Sequence, residues 1–367
     1  MRSLPRDEVM MAECFRLAMK GSGHVSPNPL VGALLVKSGR VLSRGYHRRF
    51  GEPHAEIACL RNAGRRAEGA TLYVNLEPCT HYGKTPPCVD AIIRAKVGRV
   101  VIGMKDPNRI VDGNGIRRLR KAGIRVTVGV LRSQAEQLNR IFVRHITRGY
   151  PYVHVKIAQT IDGRIAARGS RGSWFTSEES RREVHRWRAE CDAVLVGAGT
   201  VRSDDPLLTV RVVRGRNPAV VVLDGRLSSP LKARVFTGRH RRRVFVCANQ
   251  AYAQRRAPKV AELERRGMEV IRLPGSGGEV GLRQLLRTLY KWGIGSLLVE
   301  GGAEVFRAFA EQMMFDELSI FVAPWFMGDG VPAFGENGSW ASRGKGKLQW
   351  RSAERVGSDL LLKAYVL

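Results

Sequence analysis

Three side chains of this 367-residue chain have the types and spacing of a catalytic metal site: His54 in His54-Ala55-Glu56, Cys79 in Glu77-Pro78-Cys79, and Cys88 beyond them. One imidazole and two thiolates leave the fourth position of a tetrahedral zinc ion to water, which separates catalytic zinc from closed structural knots. Zinc lowers the pKa of that water to about 7, so a hydroxide nucleophile exists at neutral pH. Glu56 follows the histidine closely enough to point into the site without binding metal, and it can carry a proton from the water to a ring nitrogen and a departing amine. His-x-Glu with a later Pro-Cys is the arrangement of zinc nucleobase deaminases. Here the segment between Cys79 and Cys88 is long, and it offers His81 and Lys84 to a polar or anionic ligand. The alternative is a closed zinc knot with His47, His81 or Cys59 as fourth ligand.

These residues need rigid elements to hold them. Residues 7–20 have amphipathic helical spacing that stops at Gly21, and GSGHVSPNP then marks a loop. VGALLVK and RVLSRG form a hairpin about Ser38-Gly39; HAEIACLRNAG predicts a helix, ATLYVNL a strand and PCVDAIIRAK a helix. His54 and Cys88 therefore fall at helix starts, whose partial positive charge favours thiolate. RVVIGM, a helix around GIRRLRKAG and IRVTVGV extend the alternation, so a three-layer α/β/α unit is expected. After Arg148 a new series of strands begins: GYPYVHVKIA, CDAVLVG, PAVVVLD, RRVFVCA, MEVIRLP and GSLLVEGG. Their nearly continuous apolar character suits strands covered on both faces in a second α/β domain. The length exceeds one hydrophobic core, and domains over residues 1–147 and 148–367 are expected. The glycine-rich stretch Gly328 to Gly346 reads as a loop.

Hydrophobic residues make up 44% and charged residues 26%, and without a long apolar run there is no membrane span to expect. Acidic residues near the start argue against a secretory signal, so the cytoplasm is the expected compartment. Six cysteines are too sparse for a disulfide framework. A net charge of +29 favours phosphorylated ligands or nucleic acid. The basic clusters are short and lack interleaved aromatics, so nucleic acid is not the expected partner. LLVEGG followed by AEVFRAF is a strand, glycine turn and helix start, which can bind a cofactor pyrophosphate or be an ordinary tight turn; it lacks the G-x-G-x-x-G spacing. In so Arg-rich a chain Arg188 and Arg211 read as surface residues whose guanidinium fork can also clamp a phosphate, and Trp174 reads as a core aromatic or a stacking platform.

Longer stretches carry a resemblance. SPNPLVGA (Ser26 to Ala33), GYH (Gly45 to His47), PHAE (Pro53 to Glu56), LEPCTHYGKTPPC (Leu76 to Cys88) and DPNRIVDGNG (Asp106 to Gly115) lie in the first half. VKIAQTIDGRIA (Val155 to Ala166), SWFTSEESR (Ser173 to Arg181), VGAGTVRSDDPLLTVR (Val196 to Arg211) and LVEGGAEVFRAF (Leu298 to Phe309) lie in the second. Together they resemble the bifunctional riboflavin biosynthesis deaminase/reductase family along almost the whole chain. The resemblance implies an N-terminal cytidine deaminase-like domain and a C-terminal dihydrofolate reductase-like domain, with one zinc ion in the first and NADPH in the second. It implies zinc ligands His54, Cys79 and Cys88, proton transfer by Glu56, and a pocket for a phosphoribosylated pyrimidine at Asn28, His47, Lys84, Asp106 and Asn108. NADPH contacts would fall on Ala158, Trp174, Thr200, Asp204 and Gly302, Ala303, Glu304, Val305, Phe306, Arg307 and Ala308. Substrate contacts of the second domain would fall on Lys156, Gly172, Arg188, Leu208, Arg211 and Glu300. Arg109 stands where the family pattern has proline, Gly172 where it has a serine, and Thr160 where serine is common. A homo-oligomer acting on small phosphoribosylated pyrimidines is expected.

Overall fold

In the computed structural model the described residues are 6–81, 86–108, 111–169, 175–237, 242–335 and 347–366, and the chain divides into two units, Met1–Gly149 and Tyr150–Leu367. The first runs α1 (Arg6–Ala18), β1 (Gly32–Lys37), β2 (Arg40–Tyr46), α2 (Ala55–Ala63), β3 (Thr71–Leu76), α3 (Cys88–Arg94), β4 (Arg99–Met104), α4 (Asn114–Lys121), β5 (Arg125–Val128), α5 (Arg132–Leu138) and α6 (Arg140–Arg148). Its five strands have the order β2-β1-β3-β4-β5; β1 is antiparallel to β2 and β3, and β3, β4 and β5 are parallel.

Strand periodicity sorts the apolar side chains onto the two faces of this sheet. Ala33, Leu35, Leu72, Val74, Val100 and Ile102 pack with Cys59 of α2, Ile92 of α3 and Leu119 of α4. The alternate residues Leu34, Val36, Tyr73 and Val101 pack on Met11, Cys14 and Leu17 of α1. Three layers result, as the alternation predicts. Sequence pattern had not marked α5 and α6: α5 buries only Ala135, and α6 is amphipathic but buries no residue fully, laying Phe142 and Val143 partly buried against the same core.

The second unit runs β6 (Tyr152–Thr160), β7 (Arg164–Ala167), α7 (Glu178–Glu190), β8 (Ala193–Gly197), α8 (Ala198–Asp204), β9 (Ala219–Leu223), β10 (Val244–Asn249), α9 (Gln250–Arg255), α10 (Ala257–Arg265) and β11 (Glu269–Leu273). It continues with α11 (Leu282–Lys291), β12 (Ser296–Gly301), α12 (Ala303–Glu311), β13 (Glu317–Ala323), β14 (Gly330–Pro332), β15 (Leu348–Val356) and β16 (Asp359–Val366). Nine strands form one sheet in the order β11-β10-β9-β8-β12-β6-β13-β16-β15. It is parallel from β11 to β13, and β16 and β15 close it as an antiparallel hairpin. Apolar side chains cover both faces of the parallel part, with Val155, Leu195, Val221 and Phe245 on one face and Val194, Val220 and Val246 on the other.

The hairpin escaped the sequence reading because β15 is exposed along most of its length and has no apolar alternation. Part of the glycine-rich stretch expected as a loop is strand β14, paired antiparallel with β7; residues 336–346 of it lie outside the described residues. Neighbouring strands β8 and β12 each run directly into a helix, α8 and α12, which places two helix starts at one carboxyl edge of the sheet. Among the described residues no helix is long and apolar enough to cross a membrane.

Phe309 of α12 is 0% exposed within the core of the second unit. Truncation to alanine removes its contacts and leaves a cavity, so Phe309→Ala is expected to lower stability by about 3–5 kcal/mol in chemical denaturation.

Candidate metal centre and cofactor cleft

His54 is the N-cap of α2, in extended conformation, and Cys88 is the first residue of α3. Cys79 follows the carboxyl end of β3, and so all three sit on one edge of the first sheet. His54 Nδ1 lies 3.5 Å from Cys79 Sγ and 3.3 Å from Cys88 Sγ, and the three donor atoms fall within 4.8 Å of one another. The Cys88 backbone N–H donates to Cys79 Sγ at 3.4 Å. A hydrogen bond from Cys88 is the main cause that pulls Cys79 down to about 4, while the same bond and then burial push Cys88 up. His54 is raised chiefly by its hydrogen bond with Cys79.

This donor set is that of a zinc site with an open position. Among the described residues no fourth His, Cys, Asp or Glu joins the group. Cys59 Sγ is 3.1 Å from Ser43 Oγ, His47 Nδ1 is 3.3 Å from the Pro53 carbonyl and His81 is exposed; none of the three candidates for a closed knot joins the group. Glu56 is 3% exposed, and its Oε2 has no hydrogen-bond partner. A buried polar atom left alone costs free energy, and a zinc ion with its water would satisfy it. The residues present therefore fit the metal. Burial raises the proton affinity of Glu56, with Cys79 adding to the rise and His54 opposing it.

Around this centre the structure gathers most of the expected pocket residues. Asn28 Nδ2 is 3.1 Å from His47 Nε2, and the His47 ring meets that of His54 edge-on with centroids 5.3 Å apart. Asp106 accepts the Asn108 N–H at 2.8 Å. Its carboxyl is pushed up to about 6 by burial, with the charges of Glu77 and Cys79 contributing. Lys84 and Arg109 lie outside the described residues. Glu77, which the sequence reading left without a role, is buried and accepts three backbone N–H bonds. Its place beside Pro78-Cys79 was the only signal.

The second unit holds a cleft of about 1790 Å³ at the carboxyl edge of its parallel strands, lined by Lys156, Ala158, Thr200, Asp204, Arg188, Leu208, Arg211, Glu300 and every residue from Gly302 to Ala308. All the expected cofactor and substrate residues that are described meet here; Gly172 and Trp174 lie outside the described residues. Its volume is above the range of about 300–1,000 Å³ usual for one drug-sized ligand, which leaves room for a dinucleotide together with a substrate. Gly301, with φ +123°, turns the chain from β12 into α12, and a Cβ there would meet the Phe306 ring at 3.0 Å. The first turn of α12 thus lines the cleft, and a helix start is the kind of backbone arrangement that can bind a phosphate.

Arg188 departs from the expected free clamp. Its guanidinium forks onto Glu300 at 2.6 and 2.7 Å and also donates to the Thr209 carbonyl, because a buried charge needs a partner. Burial pushes the Glu300 carboxyl up, but Arg188 outweighs it and the net direction is down. Lys156 is lowered by burial, partly offset by Glu300. Arg211 donates from Nη1 to Thr209 Oγ1 at 2.9 Å. Its backbone N–H donates to His185 Nδ1 at 3.1 Å, and burial followed by Arg188 and Arg211 lowers His185 to about 4. A lone histidine on an arginine-rich helix gave no sign of this in the sequence.

Fold and site together define a two-unit enzyme, a zinc deaminase joined to a reductase. Residues 4–104 match the cytidine and deoxycytidylate deaminase zinc-binding region, and residues 151–362 match the RibD C-terminal domain. The riboflavin biosynthesis protein RibD of Aquifex aeolicus is 40% identical, covering 97% of this chain and 97% of that protein, and the Escherichia coli protein of that name is 39% identical over 88% and 89%. A crystal structure of a diaminohydroxyphosphoribosylaminopyrimidine deaminase/5-amino-6-(5-phosphoribosylamino)uracil reductase from Thermotoga maritima superposes with a TM-score of 0.86 at 38% identity, covering 98% of this chain and 99% of that one. The chain belongs to the RibD family of riboflavin biosynthesis proteins, and it is a bifunctional deaminase and reductase that uses zinc and NADPH.

Two outcomes follow from this geometry. Cys88→Ser replaces a soft sulfur ligand, and the purified variant is expected to hold little or no zinc by atomic absorption while NADPH oxidation is retained. His185 should stay neutral in an NMR titration until about pH 4, whereas the unfolded chain takes up that proton near 6.5. Unfolding then binds a proton across this window, so stability of the second unit falls as pH drops from 6.5 toward 4, and His185→Gln should flatten that dependence.

Proposed function

We propose that the deaminase domain, residues 1–147, removes an amine from diaminohydroxyphosphoribosylaminopyrimidine, and that the reductase domain, residues 148–367, reduces the ribosyl group of the resulting 5-amino-6-(5-phosphoribosylamino)uracil to ribityl. The observation that carries the first half is the buried, unpartnered Glu56 oxygen beside the His54, Cys79 and Cys88 donors. His54, Cys79 and Cys88 hold the zinc, which supplies the Lewis acidity that makes water a nucleophile. Glu56 takes one proton from the attacking water and delivers it to the ring nitrogen, then takes the second from the newly formed hydroxyl and delivers it to the departing amine. A C–O bond forms, the C–N bond breaks and ammonia leaves, with no change of oxidation state. Burial raises the proton affinity of Glu56 toward the range a shuttle needs. Asn28, His47, Lys84, Asp106 and Asn108 bind the pyrimidine and its ribose.

In the reductase domain the α12 start, Gly302 to Ala308, takes the cofactor phosphates, and Ala158, Trp174, Thr200 and Asp204 complete that contact surface. NADPH supplies the hydride, and the chain's task is to align it with the ribose carbon that bears the amine. Lys156, Gly172, Leu208, Arg211 and Glu300 face the substrate. Arg211 is the guanidinium suited to its phosphate, since Arg188 is engaged with Glu300. Arg188 acts by keeping Glu300 ionised and in place beside Lys156. The strong positive charge of the chain assists capture of phosphorylated intermediates. The enzyme works in the cytoplasm as a homo-oligomer.

Glu56→Gln keeps the shape of the side chain and removes its ability to accept a proton. Ammonia release is expected to fall by about 100-fold or more, while NADPH oxidation on supplied aminouracil substrate stays at the wild-type rate. Loss of both activities in a folded variant would contradict separate sites.

A further inference from the structure

We infer that Glu77 is a positioning residue that holds the substrate-facing segment after β4 against the metal-ligand loop. The inference rests on the proposed pyrimidine site and names what sets its geometry. Glu77 lies two residues before Cys79, and its carboxylate is 3% exposed. Oε2 accepts the Asp106 N–H at 3.2 Å and the Gly113 N–H at 3.1 Å; Oε1 accepts the Ile116 N–H at 3.2 Å. Asp106 is the second residue of the connection between β4 and α4 and Gly113 the last, so a single oxygen ties its two ends together. Ile116 lies in the first turn of α4, where an anion also satisfies orphaned N–H groups and the helix dipole.

The packing is built around this carboxylate. Gly115 stands so close to the metal-ligand loop that a Cβ would meet the Pro78 carbonyl oxygen at 2.4 Å and Glu77 Oε1 at 3.1 Å. A larger residue would push α4 away from Glu77. The segment so pinned carries Asp106 and Asn108, joined by the 2.8 Å bond from the Asn108 N–H to the Asp106 carboxylate. Glu77 thus couples the loop that supplies Cys79 to the segment that supplies the pyrimidine contacts, and three charge-assisted bonds in a buried place make that coupling stiff.

Substitution separates this role from a general one. In Glu77→Ala three buried N–H groups lose their acceptor; in Glu77→Gln the amide oxygen can still serve Asp106 and Gly113 but its NH₂ cannot serve Ile116. Deaminase KM is expected to rise roughly 10-fold or more in Glu77→Ala and only a few-fold in Glu77→Gln. In both, kcat stays within a few-fold and zinc content is unchanged. Hydrogen exchange at the Asp106, Gly113 and Ile116 amides should speed up in the same order. Gly115→Ala should reproduce the KM effect without altering any polar group. Reductase activity on supplied aminouracil reports that the chain is folded, and loss of ammonia release in Glu56→Gln tests the underlying deaminase reading separately. A fall in kcat at unchanged KM, loss of zinc from the Glu77 variants, or exchange rates that do not change would overturn the inference.

Discussion

A buried carboxylate with one oxygen left without a hydrogen-bond partner is the constraint on which the first unit depends. Glu56 is buried on the first turn of α2 with one oxygen unpaired, and such a group is unfavourable unless something polar stands opposite it. The same short stretch of chain begins with His54, whose Nδ1 faces two sulfurs at hydrogen-bonding distance. The proposed proton carrier and a proposed metal ligand are thereby held by one helix start, and the second helix start contributes Cys88. The three-layer packing below them is ordinary. Its function is to keep two helix ends and the carboxyl edge of β3 at fixed separation.

Charge burial organises the reductase cleft in a different way. Arg188 and Glu300 come from α7 and β12, far apart in the chain, and neutralise each other through a bidentate pair at the floor of the cleft. Taking two charges from water is costly, and the paired geometry offsets it. Lys156 and His185 are then held in a field set by that pair: the lysine is lowered by burial with Glu300 opposing, and the histidine is lowered by burial and two arginines. Lys156, His185, Arg188, Arg211 and Glu300 all depart from their ordinary proton affinity within this cleft. That is common where binding and catalysis take place.

Much of this was legible from residue types alone. Period-two and period-3.6 patterns marked the buried strands of the first unit, such as β1, β3 and β4, and most of the parallel strands of the second, because burial forces the pattern; β13, β16 and α11 went unmarked although they are buried on one face. His54, Glu56, Cys79 and Cys88 were readable because few residue types can hold zinc and move a proton. Where burial is weak the pattern fades. The exposed strand β15 and the lightly buried helix α5 went unmarked for that reason.

What the sequence determined by itself was the chemistry: which atoms can ligate a metal, carry a proton or cradle a phosphate is a property of side chains and local turns. Which of them are free to do so was decided by the tertiary structure. Arg188 and Arg211 look alike in the chain, but only the fold commits one of them to Glu300. Glu77 reads as an ordinary acidic residue until three backbone N–H groups from a distant segment converge on it. Pairing of buried charges is long-range and geometric, so it has no signature in local spacing.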